Sequence, residues 1–360
     1  MIAYIRTMAV DKKHWLEAKA YSDGVAFCQM IPGATAMQTA AYVGLQVCGI
    51  VGAAASFIGF GLPAFLLMMA FAALYAHAHQ LPLVVSAFSG LQAIIVAVIA
   101  NATLSFGRVT LKDWKALAIA ATAAALFGVG VHPVLVILLA AVGGLMLIKP
   151  TQPAAHQSDP PSQGSPNSKS LMLILSLALV GGLLLFLLDP NLFSLAALLF
   201  RIDLLAFGGG FASVPLMLHE VVQARGWIDS QTFMNGIVLG QVTPGPIVIT
   251  ATFIGYLLHG PLGGVIATIS IFLPSFLLVV GISPYFDRLR TSPTFIRVIG
   301  GVLCSFVGLL LTVTVRFALG IHWDLSHLIL VTGALAALLL KVDMLWVVLV
   351  GTIISVMLFI

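Results

Sequence analysis

The chain is 360 residues long, 61% hydrophobic and only 8% charged, with a formal net charge of +4. A soluble domain carries about 25% charged residues, so this composition excludes a water-facing globule. The small Lys/Arg excess is read as membrane topology and says nothing of nucleic acid.

Mean hydropathy is +1.13, and apolar stretches long enough to cross a bilayer recur along the chain, about 20 residues sufficing for a helix. The short period-2 segments of an outer-membrane barrel are absent. The expected fold is an all-α polytopic membrane protein. The opening residues, MIAYIRTMAVDKKHWLEAKAYSDG, lack the apolar core of a cleavable signal peptide. Spans are predicted over 24–47, 50–76, 83–107, 116–130 and 133–148. Then comes KPTQPAAHQSDPPSQGSPNSKS, 149–170, a Pro/Ser/Gln-rich segment read as a flexible hydrophilic linker. Further spans are predicted over 171–188, 192–222, 231–258, 261–285, 295–319, 326–340 and 343–360. Several are short and are expected to pair as half-spanning hairpins, giving about 10–13 spanning or half-spanning helices. Cys28, Cys48 and Cys304 stand singly in apolar segments, with no disulfide or metal spacing.

The halves on either side of the linker, 1–148 and 171–360, share a pattern. Trp15, Gly24, Gln29, Pro32 and Gly33 fall on Trp227, Gly236, Gln241, Pro244 and Gly245 at an offset of 212. One residue is then dropped, and Gly44, Gly49, Gly52, Pro63 and Phe65 meet Gly255, Gly260, Gly263, Pro274 and Phe276 at an offset of 211. Matched Gly, Pro and Trp residues in one order point to two homologous repeats, a common transporter architecture. Seven predicted crossings separate equivalent points, so the repeats are expected to be inverted. The counterpart of FGGGFASVPLMLHEVVQARGW, 207–227, is expected ahead of Met1. With the linker in the cytoplasm, ten basic residues fall inside (Arg108, Lys112, Lys115, Lys149, Lys169, Arg225, Arg288, Arg290, Arg297, Lys341) and five outside (Arg6, Lys12, Lys13, Lys19, Arg316).

Pro and Gly within a spanning helix free backbone groups that lipid cannot satisfy, so such breaks lie in protein or line a cavity. Each break creates a helix N-terminus whose free N–H groups and positive dipole end favour an anion. The candidate substrate site is therefore the pair Pro32-Gly33 and Pro244-Gly245-Pro246, with Gln29 and Gln241 one turn ahead as neutral donors. Thr243, Thr250 and Thr252 offer hydroxyls, against the alternative that each bonds its own helix backbone. Gly208-Gly209-Gly210 is either a further part of the anion cradle or a tight helix-packing point. Arg201 and Asp203 are intramembrane ionisable residues, followed by His219, Glu220 and Arg316. Arg201 could offset a dianion's charge, and a carboxylate or histidine could carry a coupling proton; interfacial snorkelling is the competing account for Arg316 and for His219-Glu220. Motifs for metals, phosphate loops, dinucleotides or nucleophilic triads are absent, so neither enzyme activity nor a cofactor is expected.

The stretches FGGGFASVPLM, GWID, NGIVLGQVTPGPIVITATFIGYLLHGPLGG and IFLPSF resemble the second half of transporters of the chromate ion transporter superfamily. DGVAFCQMIPGATAMQTAAYVG and GFGLPAF resemble the first half, although it reads Pro32-Gly33-Ala34 where the second reads Pro-Gly-Pro. The resemblance implies a multi-pass inner-membrane carrier that exports chromate, driven by the proton gradient, and so confers resistance. It also implies sulfate, another tetrahedral dianion, as competitor or alternative substrate, and allows for a homodimer in the bilayer. An anion channel with the same broken helices is the rival from another class.

Overall fold

The computed structural model describes residues 1–148, 168–321 and 323–359; most of the expected linker, 149–167, lies outside the described residues. Among the described residues there is no strand, and the chain is an all-α polytopic membrane protein. Among the described residues, five helices are long and apolar enough to cross a bilayer, joined by four shorter apolar ones.

In chain order, α1 (Ile2–Arg6) continues as a π-helical turn over Thr7–Lys12 and is followed by α2 (Ala18–Met30) and α3 (Thr35–Ala78). Next come α4 (Pro82–Thr110), α5 (Trp114–Gly128), α6 (Pro133–Leu147), α7 (Ser168–Leu188) and α8 (Pro190–Leu205). A 3-10 turn, Gly210–Ala212, leads into α9 (Ser213–Met217) and a second π-helical turn, Leu218–Ala224. After α10 (Ser230–Val242), a 3-10 turn (Ile247–Ile249) opens α11 (Thr250–Ile282). The short α12 (Phe286–Arg290) precedes α13 (Pro293–Leu319), α14 (Leu325–Leu339) and α15 (Met344–Phe359). Starts are set by local chemistry. Pro82, Pro133, Pro190 and Pro293 take first-turn positions where no N–H is needed. Asp113, Asp229 and Asp324 accept N–H bonds as caps of α5, α10 and α14. At Asp229 partial burial works against the charge, but bonds from the Thr232 N–H and hydroxyl outweigh it and hold the carboxyl below its ordinary range.

The two longest helices are not rods. At Cys48–Gly49 the backbone of α3 turns to φ/ψ −135/25 and 62/−151, and at His259–Gly260 α11 does the same at −136/24 and 62/−156. In a continuous helix, residues eight apart are about 12 Å distant along the axis. Here a Cβ on Gly44 would overlap the Gly52 carbonyl, and one on Gly255 would overlap that of Gly263. Both helices therefore fold back sharply, and only glycine lets the backbones approach so closely.

Three further fold-backs are re-entrant. A Cβ on Gly24 would overlap the Tyr42 ring, so α2 and the first limb of α3 lie side by side with the break at 31–34 as their tip. Gly236 faces Phe253 in the same way, 2.5 Å from a hypothetical Cβ, about a tip at 243–249. Arg201 pairs with Glu220 across 206–212, making α8 and α9 a third hairpin tipped by the triple glycine. The predicted spans 24–47, 192–222 and 231–258 are thus hairpins that enter and leave on one face, whereas the others match single helices within a few residues. Five crossings then separate α2 from α10 instead of seven. The number is still odd, so the two hairpins enter from opposite faces.

Other features recur at the same spacing. Asp113 and Asp324 cap equivalent helices 211 residues apart, and Gly130 and Lys341 share a positive φ of 85 and 65. The π-helical turns precede His14 (φ 51) and Gly226 (φ 60), 212 apart. This corrects one expectation in part: the counterpart of 214–226 is residues 2–14 and not a segment ahead of Met1. The loop charges also redistribute. Arg6, Lys12, Lys13, Lys19, Arg108, Lys112, Lys115, Arg288, Arg290, Arg297 and Lys341 lie toward the face where α2 enters, here the first face. Among the described residues, Arg201, Arg225 and Arg316 are the basic residues toward the second.

Candidate functional site

The three re-entrant tips meet in the interior. The Gly33 N–H donates to the Ala206 carbonyl at 2.9 Å, joining the first tip to the triple-glycine tip. Gly210 packs on the second tip, where an added Cβ would lie 3.0 Å from Val248 Cγ2. The Ala34 N–H donates to Ser275 Oγ at 3.1 Å, and Ser275 donates its own N–H and hydroxyl to Asp203 Oδ2 at 2.9 and 2.7 Å. Each tip of the paired breaks also touches the residue after the other copy's mid-helix proline. Gly33 lies against Ser275, which follows Pro274, and Gly245 lies 2.5 Å, at an added Cβ, from Ala64, which follows Pro63.

Below the tips, a cavity of about 530 Å³ runs toward the first face, where Ile2, Val109 and Met344 line its mouth. Its polar wall is Gln29, Thr35, Asn101, Ser105 and Thr110, and Gly208 lies at its inner end. Its apolar wall includes Val98, Phe106, Phe211 and Phe306. No charged residue is among these lining groups. Gln29, Asn101 and Ser105 form no side-chain hydrogen bond to any described residue, so their donors are available to a ligand.

Backbone donors add to them. The Ala34 side chain cannot cap α3, so the first-turn N–H groups from Thr35 to Met37 have no intrahelical acceptor. Gly208 and Gly209 both sit at φ 94, a conformation that frees successive N–H groups and that other residues adopt only with strain. No backbone acceptor for their N–H groups occurs among the described residues. A helix N-terminus, a glycine turn and neutral side-chain donors in a low-dielectric pocket suit an anion whose charge is spread over several oxygens.

Not every expected residue reaches this cavity. Gln29 and Gly208 line it, and Gly209 lies beside Thr35, which also lines it; Pro32 and Gly33 are buried behind Gln29 and Thr35 and do not line it. Gln241 does not line it; its Nε2 is buried without a partner in the other half. Thr243 donates to the Gly240 carbonyl at 2.9 Å, the local backbone bond that competed with a ligand role, and Thr250 does likewise to Ile247. Gly245 packs on Ala64 and Pro246 lies near Gly210, while Pro244 is exposed. Arg201 is the largest departure. It lies on the far wall of its hairpin and pairs with Glu220, which also binds Arg225 and has His132 Nε2 at 3.7 Å. A buried carboxylate that needs two guanidiniums holds Arg201 away from the tips.

Asn101, Ser105 and Thr35 escaped the sequence reading. The i, i+4 spacing of Asn101 and Ser105 puts two polar groups on one face of an apolar helix, a signal that was present.

The sequence model of the family described as "Chromate transporter" matches this chain over residues 1–145 and 193–356. An uncharacterized transporter of Methanocaldococcus jannaschii is 42% identical, over 98% of this chain and 88% of its own length. The chromate transport protein of Pseudomonas aeruginosa is 29% identical over 88% of this chain and 76% of its own length. That of Cupriavidus metallidurans is 28% identical over 86% and 75%. No solved structure matches the chain.

Proposed function

The chain belongs to the chromate transporter family, and from that membership we propose a secondary carrier that exports chromate across the inner membrane, driven by the proton gradient, and so confers resistance. It is built from two inverted copies of one unit, 1–148 and 171–360. The observation that carries the proposal is the cavity at the first-face side of the tips, uncharged yet rich in free donors. A tetrahedral dianion can take one N–H or O–H on each oxygen there, and a cation finds no carboxylate. The gathering of basic residues supports placing the first face in the cytoplasm. The cavity then opens toward cytoplasmic substrate, as export requires.

Everted membrane vesicles carrying the protein are expected to accumulate chromate saturably when their interior is acidified, with sulfate competing. Uptake no greater than in vesicles without the protein would overturn the substrate assignment. Uptake that never saturates would favour a channel.

A further inference from the structure

Asp203 is fully buried, and the carrier reading above leaves it without a task. Both of its hydrogen bonds fall on one oxygen, Oδ2, and Oδ1 is buried with no partner. The neighbouring elements supply no countercharge. Over their described side chains, α7, α9 and α11 carry no charged residue, and the titratable groups on α11, Tyr256 and His259, sit toward the distant fold-back. Arg201, on Asp203's own helix, is held by Glu220, and His219 faces Gln223. An ionised carboxylate in the membrane interior with no countercharge is strongly disfavoured, and intramembrane carboxylates of this kind mark ion and proton pathways.

We propose that Asp203 binds the coupling proton of the carrier, an inference that rests on the proton-driven reading above. Ser275 follows Pro274, which opens the helix and leaves the Ser275 N–H free to donate to Asp203. With its hydroxyl hydrogen committed to Oδ2, Ser275 Oγ accepts the Ala34 N–H, and the next residue, Thr35, lines the cavity. The charged carboxylate therefore clasps the first tip through Ser275. When a proton from the aqueous phase forms an O–H bond at Oδ1, the group becomes neutral and Oδ2 becomes a weaker acceptor. The clasp loosens, and the tip behind the cavity wall is freed to move. A proton suits this place better than a metal cation, because Oδ1 is a single oxygen and the groups against Oδ2 are donors. The clasp is one-sided. The equivalent of Ser275 in the first copy is Ala64, which has no hydroxyl, so only one tip is held in this way.

The test uses the purified full-length protein in proteoliposomes and two measurements, accumulation of labelled chromate driven by a pH gradient and chromate–chromate counterflow with no gradient. Asp203→Asn keeps an acceptor for Ser275 but cannot titrate. It is expected to retain counterflow within about threefold and to lose at least about tenfold of gradient-driven accumulation. Wild-type accumulation by Asp203→Asn overturns the assignment. Should that variant lose both activities, Asp203→Glu decides: restored gradient-driven accumulation supports the assignment, and failure of both overturns it. Absence of counterflow in the wild-type protein would overturn the transport reading and this assignment together.

Discussion

Gly33→Ala is expected to abolish transport and lower stability by about 3 kcal/mol, from a strained backbone and a displaced core contact together. Gly33 has φ +114, and a Cβ there would overlap Ser275 Oγ, with the Gln38 amide nitrogen 2.8 Å away on another side. Neither neighbour can yield cheaply. Ser275 is committed to Asp203 and Ala34, and Gln38 Nε2 donates to the Pro32 carbonyl at 2.5 Å. Moving Ser275 strips Asp203 of both its hydrogen bonds and uncouples the first tip from α11. Gly130→Ala is the matched control. Gly130 also has a positive φ, +85, but open space around it, and Lys341 occupies the equivalent place at φ 65. Its cost should stay near the 1–2 kcal/mol of the left-handed conformation alone, with transport retained. Thermal unfolding in detergent and vesicle uptake read the two effects.

Glu220→Ala should be the most damaging change at the second face, by about 3 kcal/mol. The Glu220 side chain is 8% exposed and holds Arg201 and Arg225 together, with His132 close by. Removing it leaves two guanidiniums facing one another without a counter-ion. Arg201→Ala removes only one partner of a carboxylate still bound by Arg225, and the Arg201 side chain is 45% exposed, so its cost should be under about 1 kcal/mol. Unfolding midpoints of the two variants, compared in one detergent, check the order. Equal losses would show that Arg201 matters to the cluster as much as Glu220 does.

Much of the fold was legible because glycine and proline carry backbone information that apolar runs do not. The boundaries drawn between 47 and 50 and between 258 and 261 coincide with the fold-backs at Cys48–Gly49 and His259–Gly260. The Pro32-Gly33 and Pro244-Gly245 breaks are helix interruptions where expected. What hydropathy could not separate was a re-entrant arm from a span, since both are apolar once protein covers them. That ambiguity misplaced the N-terminal basic residues and Arg225 across the membrane, and hid the hairpin tipped by Gly208–Gly210. The candidate site was legible only in part, for a related reason. Helix breaks announce themselves locally, but which tip opens to the cavity depends on packing between distant helices. Arg201 lies close in sequence to the triple glycine, yet its partner is across the hairpin. Asn101 and Ser105 reach the site from α4, a helix with no break to attract notice.

On the function proposed above, the cavity under the first tip, and not the arginine cluster, holds the oxyanion. Equilibrium binding of radiolabelled chromate to the purified protein tests it most directly. The proteins to compare are the wild type, Arg201→Ala and the double variant Asn101→Leu with Ser105→Leu. Two lost hydrogen bonds to a charged ligand, at about 1.5 kcal/mol each, should weaken binding about 100-fold in the double variant, while Arg201→Ala stays near wild type. Wild-type affinity in the double variant, with binding lost in Arg201→Ala, would contradict the account.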